Sequence, residues 1–203
     1  MIEQVCRKER QYGMKIREIA ETKRKAKEWF ASYTADYDME DPKIALKAVH
    51  TYHVAELCQT IAESLALNEV ECMAAWLSGL LHDVGRFEQI RRFNTFSDAD
   101  SIDHALLSTE ILFGTKEDAS CGRIRQVILD PSWDIYLYKA IKYHSAYRLP
   151  PDLSEMEKTY CQILRDADKI DIFRVNLETP MEDIYNTTTE TLKQAEVTSE
   201  VLQ

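Results

Sequence analysis

Glycine and proline are scarce in this chain, with five of each among 203 residues. All-β sandwiches and barrels need a turn about every 8–12 residues and use these amino acids to make it, so the scarcity argues against both classes. Strand-like alternation of polar and apolar residues is also missing, whereas apolar residues recur at helical spacing along most of the chain. The sequence therefore predicts an all-α fold, a compact bundle of helices.

Long apolar runs are absent as well. The first residues lack the apolar segment of a signal peptide, and no later stretch reaches the roughly 18 apolar residues of a membrane helix. The five cysteines are dispersed and never form a CxxC pair, which argues against a disulfide framework and against a thiolate zinc site. We therefore expect a cytoplasmic protein with reduced thiols and no membrane partner.

Basic residues are fewer than acidic residues in this chain. Lys and Arg total 25 against 35 Asp and Glu, which gives a formal net charge of −10. Such a chain has no basic field to hold the backbone of a long nucleic acid. A phosphorylated substrate would need a local source of positive charge, such as a metal ion.

Capping residues indicate where several helices begin. The patterns are Asp41-Pro42, Asn68 with Glu71, and Ser154 with Glu157. We predict that Gly85 ends the helix that begins after Asn68, because glycine commonly follows the last helical residue. The polar stretch 88–100 is predicted to be a loop near the functional site.

All five histidines lie inside the predicted helical core. A histidine on an apolar helix face is usually a buried side chain with a hydrogen-bond partner. His82 differs because Asp83 follows it directly, after a run of mostly apolar residues. An unpaired aspartate is costly to bury, so a divalent cation would explain both side chains.

Three segments together resemble the HD-domain superfamily of metal-dependent phosphohydrolases. They are HTYHV at 50–54, LLHDVGRF at 80–87 and RDADKID at 165–171. The resemblance covers about residues 40–175 and implies a helical bundle of the HD-domain type. It also implies that the metal ligands include His50, His82, Asp83 and Asp168.

Two of these assignments involve a choice between neighbouring residues. The family places its first ligand four residues before a valine, here Val54, so His50 is preferred to His53, which is interpreted as a surface or outer residue. The final aspartate follows an alanine in the family pattern. Asp168 is therefore preferred to Asp166 and Asp171, which are interpreted as solvated or outer carboxylates.

Subgroups of the superfamily place two further histidines between the His-Asp pair and the final Asp, where they complete a second metal site. His104 and His144 match that order. The implied set is then His50, His82, Asp83, His104, His144 and Asp168, with Asp83 bridging two ions. The alternative is a one-metal site beside two core histidines. Imidazole and carboxylate ligands suit one or two divalent ions of Mn, Fe, Co, Ni, Mg or Zn.

The resemblance also implies the chemistry. A bound metal lowers the pKa of a water molecule and holds a phosphate oxygen, and Asp83 or another carboxylate could accept the proton of the attacking water. Arg86 and Lys169 are candidates to contact the phosphate, or alternatively are exposed charges.

The leading hypothesis is a metal-dependent phosphohydrolase that acts on a small phosphate ester, such as a nucleotide. One alternative is a di-iron oxygenase, because a branch of the same superfamily uses a similar ligand set for O₂ chemistry. Another is a non-catalytic module that binds a nucleotide through a residual metal site. The oligomeric state stays open.

The chain is predicted to have three parts. Residues 1–33 are expected to be an N-terminal extension, helical over 14–33 and packed on the core. Residues 34–178 are expected to form the HD-type hydrolase domain, and 179–203 a tail that is truncated or partly ordered.

Overall fold

A computed structural model describes residues 2–185 and 187–194, and no strand occurs within these ranges. The all-α prediction is therefore confirmed. The described helices are α1 Ile2–Thr34, α2 Pro42–Ser64, α3 Glu69–Leu81, α4 Val84–Phe93, α5 His104–Phe113, α6 Ile124–Val127, α7 Asp134–Tyr143, α8 Glu155–Glu178, α9 Met181–Tyr185 and α10 Thr189–Lys193. The division into three parts stays a prediction, and residues 186 and 195–203 of the expected tail lie outside the described residues.

The predicted helix starts are confirmed. The Asp41 carboxylate accepts a hydrogen bond from the backbone N–H of Lys43 at 2.8 Å, and Pro42 occupies the first turn of α2. Helices α3 and α8 begin with complete capping boxes, formed by Asn68 with Glu71 and by Ser154 with Glu157. These local interactions satisfy backbone N–H groups that a helix start leaves unpaired.

Of two predictions around the His-Asp pair, one was wrong and the other holds for only part of its segment. Helix α3 ends at Leu81, and Gly85 lies inside α4 rather than at a helix end. Helix α4 continues to Phe93, so residues 88–93 are helical, and the predicted loop is confirmed only over 94–100. Buried Phe87 and Ile90 hold α4 against the core, while its polar residues made the segment look like a loop.

Gly85 is required by the close approach of α4 and α5. A Cβ atom at this position would lie 2.5 Å from the carbonyl oxygen of His104 and 2.7 Å from the backbone nitrogen of Ser108. Backbone atoms cannot move aside as a flexible side chain can. The glycine therefore sets the distance between Asp83 and the first residue of α5.

Replacing Gly85 with Ala is expected to push α4 and α5 apart and to lower the free energy of unfolding by about 1–3 kcal/mol, the usual cost of overpacking. Urea unfolding followed by circular dichroism measures this change. An unchanged free energy of unfolding would show that the two helices are not packed as closely as the structure indicates.

The core positions the end of α3 at the centre of the molecule. Every residue from Cys72 to Leu81 is buried, as expected for a helix that is apolar on all sides. Helix α2 packs along α3, α8 packs against α2 and α7, and α1 packs against α3 and α6. The described helices include none with the length and apolar character that spanning a bilayer requires.

Candidate metal centre

The His-Asp pair lies where the chain leaves α3 and enters α4. His82 directly follows the last residue of α3, and Asp83 has a non-helical conformation, with φ −107° and ψ 17°. Adjacent residues of a continuous helix point about 100° apart. The break at Asp83 lets both side chains face the same buried space.

Four other helices bring the remaining predicted ligands to this space. His50 comes from the middle of α2, His104 is the first residue of α5, His144 follows α7, and Asp168 lies on α8. The four histidines are buried, with at most 3% of any one exposed. The structure thus brings together all six residues that the resemblance implied.

Asp83 lies between two groups of possible ligands. His50, His82 and Asp83 form one group, and Asp83, His104 and His144 form the other. Asp83 Oδ2 lies 3.3 Å from His82 Nε2, and Asp83 Oδ1 lies 3.6 Å from His104 Nε2 and 3.7 Å from His144 Nε2. Each carboxylate oxygen therefore faces its own group, as a carboxylate that bridges two ions would.

Asp168 extends the first group. Its Oδ1 atom lies 3.1 Å from His50 Nε2 and 3.8 Å from His82 Nε2. Its side chain is 20% exposed, against 2% for Asp83. Asp168 therefore lies on the solvent side of the cluster, where a substrate could approach.

The orientation of His82 leaves its Nε2 atom without a hydrogen-bond partner. His82 Nδ1 lies 2.7 Å from the carbonyl oxygen of Gly79. A carbonyl can only accept, so Nδ1 is the donor of this hydrogen bond and Nε2 faces the cluster. This buried Nε2 atom has no hydrogen-bond partner, and neither has Asp83 Oδ1. Buried polar atoms are rarely left in this state, and a cation would satisfy both.

In the second group, which contains Asp83, His104 and His144, the ligand atoms are also arranged so that a cation would satisfy them. His144 Nδ1 donates to the carbonyl oxygen of Ile141 at 2.7 Å, and His104 Nδ1 lies 2.6 Å from Asp98 Oδ2. Burial lowers the pKa of His104 to about 4 despite this carboxylate, so its ring is neutral at pH 7. His104 Nε2 then presents its lone pair towards His144 Nε2, which lies 3.0 Å away. Together with Asp83, this donor set fits a divalent metal ion.

The aspartates of the cluster are ionised. Burial alone would raise the pKa of Asp83 and Asp168, but the neighbouring histidines, and Lys47 beside Asp83, hold both values well below the ordinary one. The cluster therefore presents fixed negative charge, which a divalent cation would neutralise.

Carboxylates outside the cluster orient two of its histidines. Asp171 Oδ2 lies 2.7 Å from His50 Nδ1, and Asp98 Oδ2 contacts His104 Nδ1. Burial would raise the pKa of each carboxyl, but the hydrogen bonds from histidine lower both to about 2. Asp171 agrees with its interpretation as an outer carboxylate. Sequence reasoning missed Asp98, which lies in an irregular loop with no pattern to mark it.

Replacing Asp98 with Asn is expected to weaken metal binding by about 10–100-fold, because carboxylates that orient ligating histidines contribute this much to affinity. Calorimetric titration with Mn²⁺ measures the effect. Asp130→Asn is the matched control: Asp130 accepts a hydrogen bond from the Ser132 backbone N–H, a role that Asn fills equally well, and Asp130 belongs to none of the groups of possible ligands. Equal affinities in both variants would contradict the role given to Asp98.

A cavity of about 250 Å³ adjoins the cluster at His50. Lys47 and Arg86 supply positive charge to its wall, and Phe96, Ile172 and Val175 supply apolar surface. Arg86 therefore lies where a substrate could bind. Sequence reasoning missed Lys47, although its position three residues before His50 on α2 could have indicated it.

The other residues singled out in the sequence lie outside the cluster. Lys169 Nζ contacts the carbonyl oxygen of Arg165 at 3.3 Å, and Lys169 lines a separate groove with Asp166. Residues 168 and 169 point about 100° apart around α8, which explains the separation. The side chain of His53 is half-exposed, with Nδ1 3.4 Å from Asp171 Oδ1.

This fold and cluster define a metal-binding helical domain. A family model described as HD domain matches residues 48–172, more than half of the chain. The chain therefore belongs to the HD-domain superfamily, whose members bind divalent metals and are mostly metal-dependent phosphohydrolases. Searches of curated proteins and of solved structures gave no significant match.

Proposed function

We propose that this protein is a metal-dependent phosphohydrolase with two divalent cations, which acts on a small phosphate ester such as a nucleotide. The observation that carries the proposal is the position of Asp83, whose two oxygens face two separate groups of histidines. His50, His82 and Asp168 would hold one ion, and His104 and His144 the other, with Asp83 shared. When bound, such ions lower the pKa of water and stabilise charge on a phosphoryl group.

The chain's own groups supply negative charge and a phosphate contact beside this centre. Asp83 is ionised with a pKa well below its ordinary value, so its main role would be to hold the ions, and it would be only a weak base for water. Arg86 Nε lies 3.8 Å from Asp83 Oδ1 and is buried without a hydrogen-bond partner. That N–H group is free to donate to a phosphate oxygen.

The adjoining cavity supports a small substrate. Its volume of about 250 Å³ suits a compact organic group, with the phosphate at the end where Lys47 and Arg86 lie. The ring of Phe96 offers an apolar face inside the cavity. The net charge of −10 disfavours long polyanions at this site.

A phosphate-ester panel with metal analysis tests the proposal. Protein purified without oxygen is analysed for metals, and then assayed for phosphate release from nucleotides, sugar phosphates and aryl phosphates with Mn²⁺, Co²⁺ or Ni²⁺. We expect turnover of at least one ester that stops after chelation and returns with metal. His53→Ala should keep this activity, because His53 lies outside the cluster.

Two other results would contradict this proposal, and each would identify a different function. Two bound irons per chain with oxygen consumption and no phosphate release would identify an oxygenase, which the six-residue cluster also suits. Tight nucleotide binding without turnover of any ester would identify a regulatory module.

A further inference from the structure

Lys47 is a buried cation beside the metal centre. It lies on α2, and only 9% of the residue is exposed. Its Nζ atom donates a hydrogen bond to Asp83 Oδ2 at 2.8 Å. A buried ammonium group needs such a partner, because its charge is costly to remove from water.

The oxygen that Lys47 contacts also faces the first group of ligands. Asp83 Oδ2 lies 3.3 Å from His82 Nε2 and 3.9 Å from His50 Nε2. A divalent cation among these atoms would share Asp83 Oδ2 with Lys47. Two like charges so close in a buried site repel each other strongly. Metal binding would therefore weaken the hydrogen bond between the Lys47 ammonium group and Asp83.

The adjoining cavity offers the Lys47 ammonium group a second environment in which it can bind a ligand. Lys47 lines the cavity, and its Nζ atom lies 5.3 Å from the centre of the Phe96 ring, within reach of a cation–π interaction. Arg86 lies over the same ring, but its Nη1 atom is held by Gln89, Asp98 and a backbone carbonyl. Of these two cationic residues, Lys47 therefore has the side chain that can turn more freely towards a ligand.

We propose that Lys47 is a substrate-binding residue with two alternative partners, Asp83 in the metal-free protein and the phosphate of the substrate in the metal-loaded protein. The choice of phosphate as ligand rests on the proposed function. A consequence is that metal and phosphate binding are coupled. Metal binding releases the ammonium group from Asp83, and phosphate then binds to it in the cavity.

Two equilibrium measurements on Lys47→Met test this assignment. Calorimetric titration with Mn²⁺ should show binding tightened by about tenfold, because a competing charge-assisted hydrogen bond is removed. Titration of the Mn²⁺-loaded protein with inorganic phosphate should show binding weakened by at least about tenfold. Lys43→Met is the matched control, because Lys43 lies one turn earlier on α2 and contacts Asn94 instead. It should change neither constant.

Weaker Mn²⁺ binding in Lys47→Met would overturn the proposal, because it would show that Lys47 holds Asp83 in place for the metal. Unchanged phosphate binding would also overturn it. Should the Met variant fail to fold, Lys47→Gln removes the charge but keeps a donor, and the same two results apply. Neither titration requires turnover, so a failure of the proposed hydrolysis and a failure of this inference are distinguishable.

Discussion

Replacing Asp83 with Asn is expected to lower kcat/KM for a phosphate ester by at least about 10³-fold, equivalent to roughly 4 kcal/mol of transition-state stabilisation. The amide is neutral and keeps one carbonyl oxygen, whereas Asp83 presents a charged oxygen to each of two groups of histidines. The substitution should therefore weaken both ion sites at once. Steady-state kinetics with metal in excess, together with the bound metal per chain, measures the two effects.

The first control for this variant is to establish that it is still folded. Lys47 loses its charged partner when Asp83 becomes Asn, and an unpaired buried charge destabilises a protein. Circular dichroism and thermal unfolding must therefore show a folded variant before its activity is interpreted. Asp36→Asn, at an exposed position, should leave both metal content and kinetics unchanged. A folded Asp83→Asn protein with more than a tenth of the wild-type kcat/KM would contradict the account.

Replacing His144 with Ala is expected to reduce the bound metal from two ions per chain to one and to lower kcat by about 10²-fold. His144 and His104 face the Oδ1 side of Asp83, so the ion among His50, His82 and Asp168 should remain. His50→Ala is the matched variant for the other side. Losing one side of a two-metal clamp removes stabilisation of either the attacking or the leaving oxygen.

The number of bound ions per chain, measured by mass spectrometry after dialysis, distinguishes a two-metal centre from a one-metal site. If His104 and His144 were core histidines beside a one-metal site, the wild type would hold one ion, and His144→Ala would keep it. That result would limit the metal centre to the first group of residues.

The helix starts and the cluster members could be predicted from sequence for different reasons. Capping at Asp41, Asn68 and Ser154 depends on residues within four positions of each other, so the local sequence contains the whole interaction. The cluster members were implied by family resemblance, because nothing in the local sequence shows that α2, α5, α7 and α8 converge.

The sequence predictions failed where a contact with a distant segment or an irregular loop decides the structure. Gly85 looked like a helix end because its close contact with α5 is invisible in the sequence. Asp98 contacts His104 from an irregular loop, which has no periodicity to analyse. Lys47 differs from these two, since helical spacing already places it on the same side of α2 as His50.

Anomalous diffraction from crystals of this protein grown with Mn²⁺ locates the bound ions. We expect two Mn²⁺ peaks in each chain, one beside His50, His82 and Asp168, the other beside His104 and His144, with Asp83 between them. A single peak, or peaks away from Asp83, would contradict the proposal of a two-metal centre bridged by this residue.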